Sequence, residues 1–178
     1  MRTFPARTSE RVRRPAAFTL MELMLVLALL GVVMLIALPA FQNLLQGALQ
    51  REVNRITGVI RLLRNEAVLT NTRYRLMLSL KDNRYFVERQ DELGSYETVQ
   101  DPQELRPHSF PSGWQTQKLL LLGRIFRNDE PEPVPVLVDS SGYVDPFLLH
   151  FTQGGEDYSL RVSGFTGRVE LVNGYVDK

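Results

Sequence analysis

Hydrophobic side chains dominate the chain from Phe18 to Phe41, where Glu22 is the single charged residue. Within this segment, residues 23–40 carry no charged or hydrogen-bonding side chain at all. A helix of about 20 apolar residues is long enough to cross the hydrocarbon core of a bilayer. The pattern therefore predicts a membrane-spanning helix over residues 18–41.

Beyond this segment the pattern becomes amphipathic. Apolar residues recur every three or four positions, at Leu45, Leu49, Val53, Ile56, Ile60, Leu63 and Ala67. Polar and arginine residues fill the positions between them, which is the periodicity of a helix with one buried face. We expect residues 42–71 to continue the helix and to pack that face on the chain's own sheet.

The remaining residues, 72–178, alternate apolar and polar side chains between turn signals. Pairs or triplets two residues apart begin at Leu76, Val134, Phe147, Tyr158 and Val169. This alternation is typical of half-buried antiparallel strands. The stretch 89–133 is polar and contains prolines, so we expect a long variable loop there with one further strand at 117–126. The predicted fold class is α+β, with a long N-terminal helix packed on an antiparallel β-sheet head.

Charge is distributed unevenly along the chain. The whole sequence is nearly neutral, with 21 Lys and Arg against 20 Asp and Glu, which disfavours a nucleic-acid partner. Residues 1–17 are basic, with Glu10 as their one acid and five arginines: Arg2, Arg7, Arg11, Arg13 and Arg14. Basic residues flanking a span stay in the cytoplasm. Residues 1–17 are thus predicted to be a cytoplasmic leader, and residues 72–178 to lie outside the inner membrane.

Glu22 is an unexpected residue in an apolar helix, because an ionised carboxylate there costs roughly 2.5 to 3.5 kcal/mol. One interpretation is that Glu22 lies at the lipid headgroups and is hydrated. The other is that it meets a cation at the same depth. A backbone cut between Ala17 and Phe18 would create such a cation, the new α-ammonium, and Glu22 of one subunit could neutralise it on the next.

The residues Ala17-Phe18-Thr19-Leu20-Met21-Glu22, followed by the long apolar run, resemble the N-terminal signal of type IV pilins and type II secretion pseudopilins. Gly31 and Pro39 fall where that family has its helix-loosening glycine and proline. The resemblance implies cleavage after Ala17 by a prepilin peptidase, methylation of Phe18, and a role for Glu22 in subunit registry. Ala17 stands where the family usually has glycine.

Two further phrases resemble the H-type minor pseudopilins, namely Leu63-Arg64-Asn65-Glu66-Ala67 and the closing stretch from Gly164 to Leu171. This resemblance implies a pilin-like structural subunit of the type II secretion pseudopilus in the bacterial inner membrane. Its partners would be other minor and major pseudopilins, the prepilin peptidase, the inner-membrane secretion platform, membrane lipid and secreted cargo. A minor pilin that primes a type IV pilus is an alternative. A periplasmic enzyme or binding module, tethered by residues 18–41, is another.

The sequence offers no convincing catalytic constellation. Cysteine is absent, and the two histidines, His108 and His150, lack the spacing of a metal pair. We expect both histidines to be surface or partly packed residues. No cofactor and no metal are predicted, and a structural role is favoured over an enzymatic one.

Overall fold

In the computed structural model of the chain, residues 20–176 are described, with the backbone alone for residues 36–46. The predicted leader, 1–17, and the predicted cleavage boundary, Ala17 and Phe18, lie outside the described residues. The chain divides into two compact units, Met1–Asn43 and Leu44–Lys178. Helix α1, Leu20–Thr70, contributes residues to both.

In the first unit, α1 exposes every described side chain. Residues 20–35 are exposed throughout, and thirteen of them are large hydrophobic residues. Within the described part of the chain, no helix combines the length and the hydropathy required to span a bilayer.

In the second unit, α1 is amphipathic. Leu49, Val53, Ile56, Ile60 and Leu63 are buried, and Arg51, Asn54 and Arg61 are exposed. The helical periodicity predicted for residues 42–71 thus has its expected burial wherever side chains are described. The predicted fold class, a helix packed on antiparallel sheets, is confirmed.

The end of α1 is fixed by a left-handed residue. Asn71 has a φ of 50°, and the Thr72 N–H donates to the Ala67 carbonyl at 3.2 Å. This bond closes a Schellman motif, in which asparagine replaces the usual glycine. The chain therefore leaves the helix directly into the first strand.

Up to residue 176, where the description ends, the second unit contains ten strands and one 3₁₀ turn, Gln103–Leu105. The strands are β1 (Tyr74–Ser79), β2 (Arg84–Gln90), β3 (Tyr96–Thr98), β4 (His108–Ser109), β5 (Trp114–Leu121), β6 (Arg124–Arg127), β7 (Val134–Val138), β8 (Phe147–Gln153), β9 (Glu156–Val162) and β10 (Val169–Asn173).

The strands form two antiparallel sheets of five strands each. The first sheet has the order β3-β2-β1-β7, and β4 also pairs with β2. The second sheet has the order β10-β9-β8-β5-β6. Residues of α1 and of both sheets form one hydrophobic core, as the neighbouring side chains of Ile56, Leu76 and Leu149 show.

The segment 89–133 differs from the long loop expected there. It contains β3, β4, the 3₁₀ turn and a hairpin of β5 and β6. The hairpin turns at Leu122 and Gly123, whose φ angles are 49° and 79°. Positive φ at both central residues suits a tight hairpin, but leucine is an uncommon residue there. For this reason the turn carried no recognisable sequence signal.

Candidate functional site

The helix of residues 20–35 exposes thirteen large hydrophobic side chains in succession along one element. Leu20 is 79% exposed and Met21 is 82% exposed. A continuous apolar surface of this kind marks contact with lipid or with another protein. The helix is therefore the first candidate for a functional surface.

Three of the predicted site residues are described, and they lie at separate positions along α1. Glu22 lies in the first turn of α1 and is exposed, and Gly31 and Pro39 lie further along the same helix. A Cβ at Gly31 would meet no atom within 4 Å, so no contact within the described chain requires glycine there.

Arg64 anchors α1 to two loops of the head. Its Nε donates to the Gly142 carbonyl at 2.7 Å, and its Nη2 donates to the Phe165 carbonyl at 2.8 Å. Its Nη1 donates to the Thr166 carbonyl. The planar guanidinium fork suits several acceptors at once, which an ammonium group cannot match in the same geometry. Arg64 thus ties the helix to the closing hairpin that the sequence analysis singled out.

Two glycines allow this loop to approach so closely. Gly167 has a φ of +61°, and a Cβ there would lie 2.6 Å from Arg64 Cδ. Gly164 lacks a positive φ, but its Cβ would lie 2.7 Å from the Val144 carbonyl oxygen. A side chain at Gly167 would push the loop away from the helix, and one at Gly164 would push it away from Tyr143 and Val144.

A buried carboxylate, Glu52, lies where α1 meets the first sheet. It is 5% exposed, and its Oε2 is 3.2 Å from His108 Nε2. The Tyr85 hydroxyl donates to its Oε1 at 3.4 Å. Burial, and then the charge of Glu52, raise the pKa of Tyr85 well above its usual range. The positive charge of Arg55 acts in the opposite direction and lowers the pKa of Tyr85, so the buried carboxylate lies in a polar network that includes a cationic group.

The cluster of Glu52, Tyr85 and His108 was not predicted from the sequence. Glu52 follows Leu49 by three positions and so falls within the apolar stripe of the helix. A charged residue on the apolar face was the sequence signal that could have indicated this cluster. His108 is partly buried, as expected.

The expectation for His150 was wrong, because this residue is fully buried. The Ser159 hydroxyl donates to the Gly174 carbonyl at 2.6 Å and therefore accepts from His150 Nδ1 at 2.8 Å. The Tyr175 ring covers the imidazole, with 4.9 Å between ring centroids. The C-terminal segment thus shields a sheet face that strand alternation alone would leave in water.

No group of three or more potential metal ligands occurs among residues 20–176.

Comparison with known families gives a match to the N-terminal segment. Residues 12–38 match the prokaryotic N-terminal methylation motif. This match includes the predicted cleavage boundary, Glu22 and Gly31. No curated protein matches the chain in sequence.

Comparison with solved structures shows what the fold is similar to. The minor pseudopilin EpsH from the Type 2 Secretion System of Vibrio cholerae superimposes with a TM-score of 0.59 at 20% identity, covering 73% of this chain and 99% of that chain. A second crystal structure of EpsH gives a TM-score of 0.56 at 18% identity, covering 68% of this chain and 93% of that chain. The protein has a pilin-like fold. The pilin-like resemblance predicted from the sequence is therefore confirmed by both comparisons.

Proposed function

We propose that this pilin-like protein is a minor pseudopilin, a structural subunit of a type II secretion pseudopilus. The observation that carries the proposal is the combination of a prepilin-type methylation motif at residues 12–38 with a head that has the EpsH fold. Before assembly, residues 18–41 would anchor the chain in the inner membrane, with the head in the periplasm.

The exposed apolar helix supports an assembly role because it is suited to two environments. Lipid tails and the side chains of neighbouring helices are similarly apolar, so helices associate in membranes through packing and polar contacts rather than through the hydrophobic effect. Moving residues 20–35 from lipid into a bundle of sister helices exchanges one apolar contact for another. This exchange lets a subunit leave the bilayer and enter a filament.

Glu22 would set the registry of that bundle. In this proposal a prepilin peptidase cuts between Ala17 and Phe18, and the new amine of Phe18 is methylated. The carboxylate of Glu22 pairs with the amine of a neighbouring subunit, which offsets the cost of burying either charge. Subunits out of register by one turn would leave both charges buried without a partner.

Gly31 and Pro39 would loosen the helix during this transition. Proline removes one helical N–H and clashes with the carbonyl four residues earlier, and glycine favours the helix less than any other residue except proline. The stretch between them is therefore where we expect α1 to unwind most easily in a filament.

The head would supply the specific contacts. In this proposal its partners are other minor and major pseudopilins, the inner-membrane secretion platform and secreted cargo. The EpsH similarity favours the pseudopilus over a type IV pilus as the assembly.

The mature N-terminus tests the proposal. We expect mass spectrometry of the full chain, expressed in cells that contain a prepilin peptidase, to find a first residue of N-methylated Phe18. A mature chain that starts at Met1 or beyond Ala40 would contradict it.

A Glu22→Ala variant separates assembly from simple tethering. We expect normal insertion and defective incorporation into the filament, with Met21→Ala as the matched control on the same exposed turn. Unchanged secretion in the Glu22→Ala variant would favour the alternative in which residues 18–41 only tether a periplasmic module.

A further inference from the structure

Strand β10 lies at the edge of the second sheet, and β9 is its only hydrogen-bonded neighbour among the described residues. Two backbone hydrogen bonds show which residues of β10 are hydrogen-bonded to β9. Ser163 N–H donates to the Arg168 carbonyl at 3.0 Å, and Gly174 N–H donates to the Asp157 carbonyl at 2.8 Å. In an antiparallel ladder, successive residues direct their backbone groups alternately toward and away from the partner strand.

These two bonds therefore determine which backbone groups of β10 point toward β9 and which point to the open edge. Glu170 and Val172 direct their N–H and C=O groups toward β9, whereas Val169, Leu171 and Asn173 direct theirs to the open edge. No hydrogen bond to the outward groups is found within the described part of the chain. The side chains of Val169 and Leu171 pack against the core but are only partly buried. The edge thus offers three outward N–H groups, three outward carbonyls and an incomplete apolar layer.

The other edge strands carry features that discourage pairing. In the first sheet, β7 contains Pro135, and its Leu137 carbonyl accepts from the Asp145 N–H at 2.9 Å. At the opposite margin, β3 and β4 have only three and two residues. At the far margin of the second sheet, β6 has four residues with an arginine at each end. By contrast, β10 has five residues and contains no proline or lysine.

The chain also turns away from this edge instead of covering it. Gly174 has a φ of 82°, and Tyr175 then packs over His150 on the outer face of the sheet. The end of the described chain therefore protects a neighbouring surface and leaves the β10 edge open.

We propose that the β10 edge is a strand-addition surface for an extended segment from the head of a neighbouring pilin-like subunit. The partner segment forms backbone hydrogen bonds with Val169, Leu171 and Asn173. It places apolar side chains at alternate positions, on the same face as Val169 and Leu171, and so completes the apolar layer. The identity of the partner as a filament subunit rests on the proposed function.

The decisive variant is Leu171→Pro, because it removes an outward N–H and leaves the β9 ladder intact. Proline is tolerated on an edge strand when its missing donor faces away from the sheet. Leu171→Ala is the matched control, since it loses the side chain and keeps the N–H. In cells with the complete secretion machinery, we expect Leu171→Pro to reduce incorporation into the filament about tenfold relative to Leu171→Ala. Equal incorporation of the two variants would overturn the proposal.

A second pair of variants covers the case in which Leu171→Pro does not fold, as judged by thermal unfolding. Asn173→Pro removes another outward N–H at an exposed position, and Asn173→Ala is its control. We expect Asn173→Pro to be incorporated into the filament less than Asn173→Ala. Equal incorporation of these two variants would again overturn the proposal. If the wild-type chain is itself never incorporated, the proposed function fails, which is a separate result.

Hydrogen exchange of the full chain provides a readout that does not depend on substitutions. In the purified chain, we expect the amides of Val169, Leu171 and Asn173 to exchange quickly and those of Glu170 and Val172 slowly. On assembly, the first three should become protected. Protection of all five in the purified chain would show that the edge pairs with a second copy, and would overturn the proposed partner.

Discussion

Arg64 illustrates how one side chain can hold together parts of the chain that are distant in sequence. Its guanidinium group donates to carbonyls of Gly142, Phe165 and Thr166, which belong to two different loops. We expect Arg64→Met to lower the free energy of unfolding by about 2 kcal/mol, because the carbonyls lose a charged donor in a partly buried site. Denaturant unfolding of the full chain in detergent measures this change.

Arg61 provides the control for that measurement. It lies three residues earlier on α1 and is exposed, so Arg61→Met should change the free energy of unfolding by less than about 0.5 kcal/mol. Equal effects of the two substitutions would show that the Arg64 hydrogen bonds do not stabilise the head.

Asp139 makes the stability of the head dependent on pH. Its Oδ1 accepts from the Ser141 hydroxyl at 2.6 Å, from the Ser141 N–H at 2.8 Å and from the Tyr143 N–H at 3.1 Å. These bonds, the Ser141 hydroxyl above all, lower the pKa of Asp139 in the folded chain. The ionised carboxylate therefore stabilises the fold at neutral pH, and this contribution is lost as the pH falls through the lowered pKa.

We accordingly expect Asp139→Asn to lower the melting temperature at pH 7 and to have a progressively smaller effect as the pH falls below the usual aspartate pKa of about 3.9 and through the lowered pKa of Asp139. Ser141→Ala should reproduce part of the loss, since it removes the largest cause of the pKa shift. Glu132→Gln, at an exposed position, is the control. A difference between wild type and Asp139→Asn that stays constant with pH would contradict the assignment.

Single residues also show where prediction from the sequence stops. The apolar stripe of α1 was predictable because periodicity is local information. Arg64 was recognisable as part of a family phrase, but its partners lie about 80 to 100 positions away and only the tertiary fold brings them near. His150 was misjudged for the same reason, because the residue that covers it, Tyr175, belongs to a segment after the last strand.

Gly58 lies in the interior of α1, where glycine lowers the stability of the helix and no packing contact in the described chain requires it. It is exposed, and a Cβ there would meet no atom within 4 Å. Glycine in a helix interior costs roughly 0.5 to 1 kcal/mol relative to alanine. We expect Gly58→Ala to raise the free energy of unfolding of the head by about that amount, as measured by denaturant unfolding.

Gly167→Ala is the opposite case and serves as the comparison. The positive φ of Gly167 is strained for any residue with a Cβ, and that Cβ would also clash with the Arg64 side chain. This variant should therefore be less stable than wild type. If both alanine variants shift stability in the same direction, the local environments of the two glycines have been misassigned.

Some strands were predictable from the local sequence, whereas others depend on partners that only the folded sheet provides. Alternation predicted β1, β7, β8, β9 and β10, since each has at least two apolar residues two positions apart. The short strands β3 and β4 were not predicted, because two or three residues are too few to show an alternating pattern. They exist because β2 offers them backbone partners, which is a property of the assembled sheet.

For the whole molecule, the division into two units predicts that the second unit, Leu44–Lys178, folds without the residues that precede it. The buried hydrophobic core extends from Leu49 to Val162, and it lies entirely within the unit Leu44–Lys178. The similarity to EpsH also covers 73% of this chain and nearly all of that chain. A chain that begins at Leu44 therefore retains every buried hydrophobic residue of the described core.

We expect this truncated chain to unfold cooperatively on heating, with the near-ultraviolet circular dichroism of a packed core. It should also stay in solution without detergent, because it lacks the exposed apolar residues 20–35. Adding Leu69→Asp, at an exposed position, should leave the unfolding transition nearly unchanged, whereas Leu63→Asp should abolish it by placing a charge in the core. A truncated chain with helical content but no cooperative transition would show that the core depends on residues before Leu44, and that the two units fold as one.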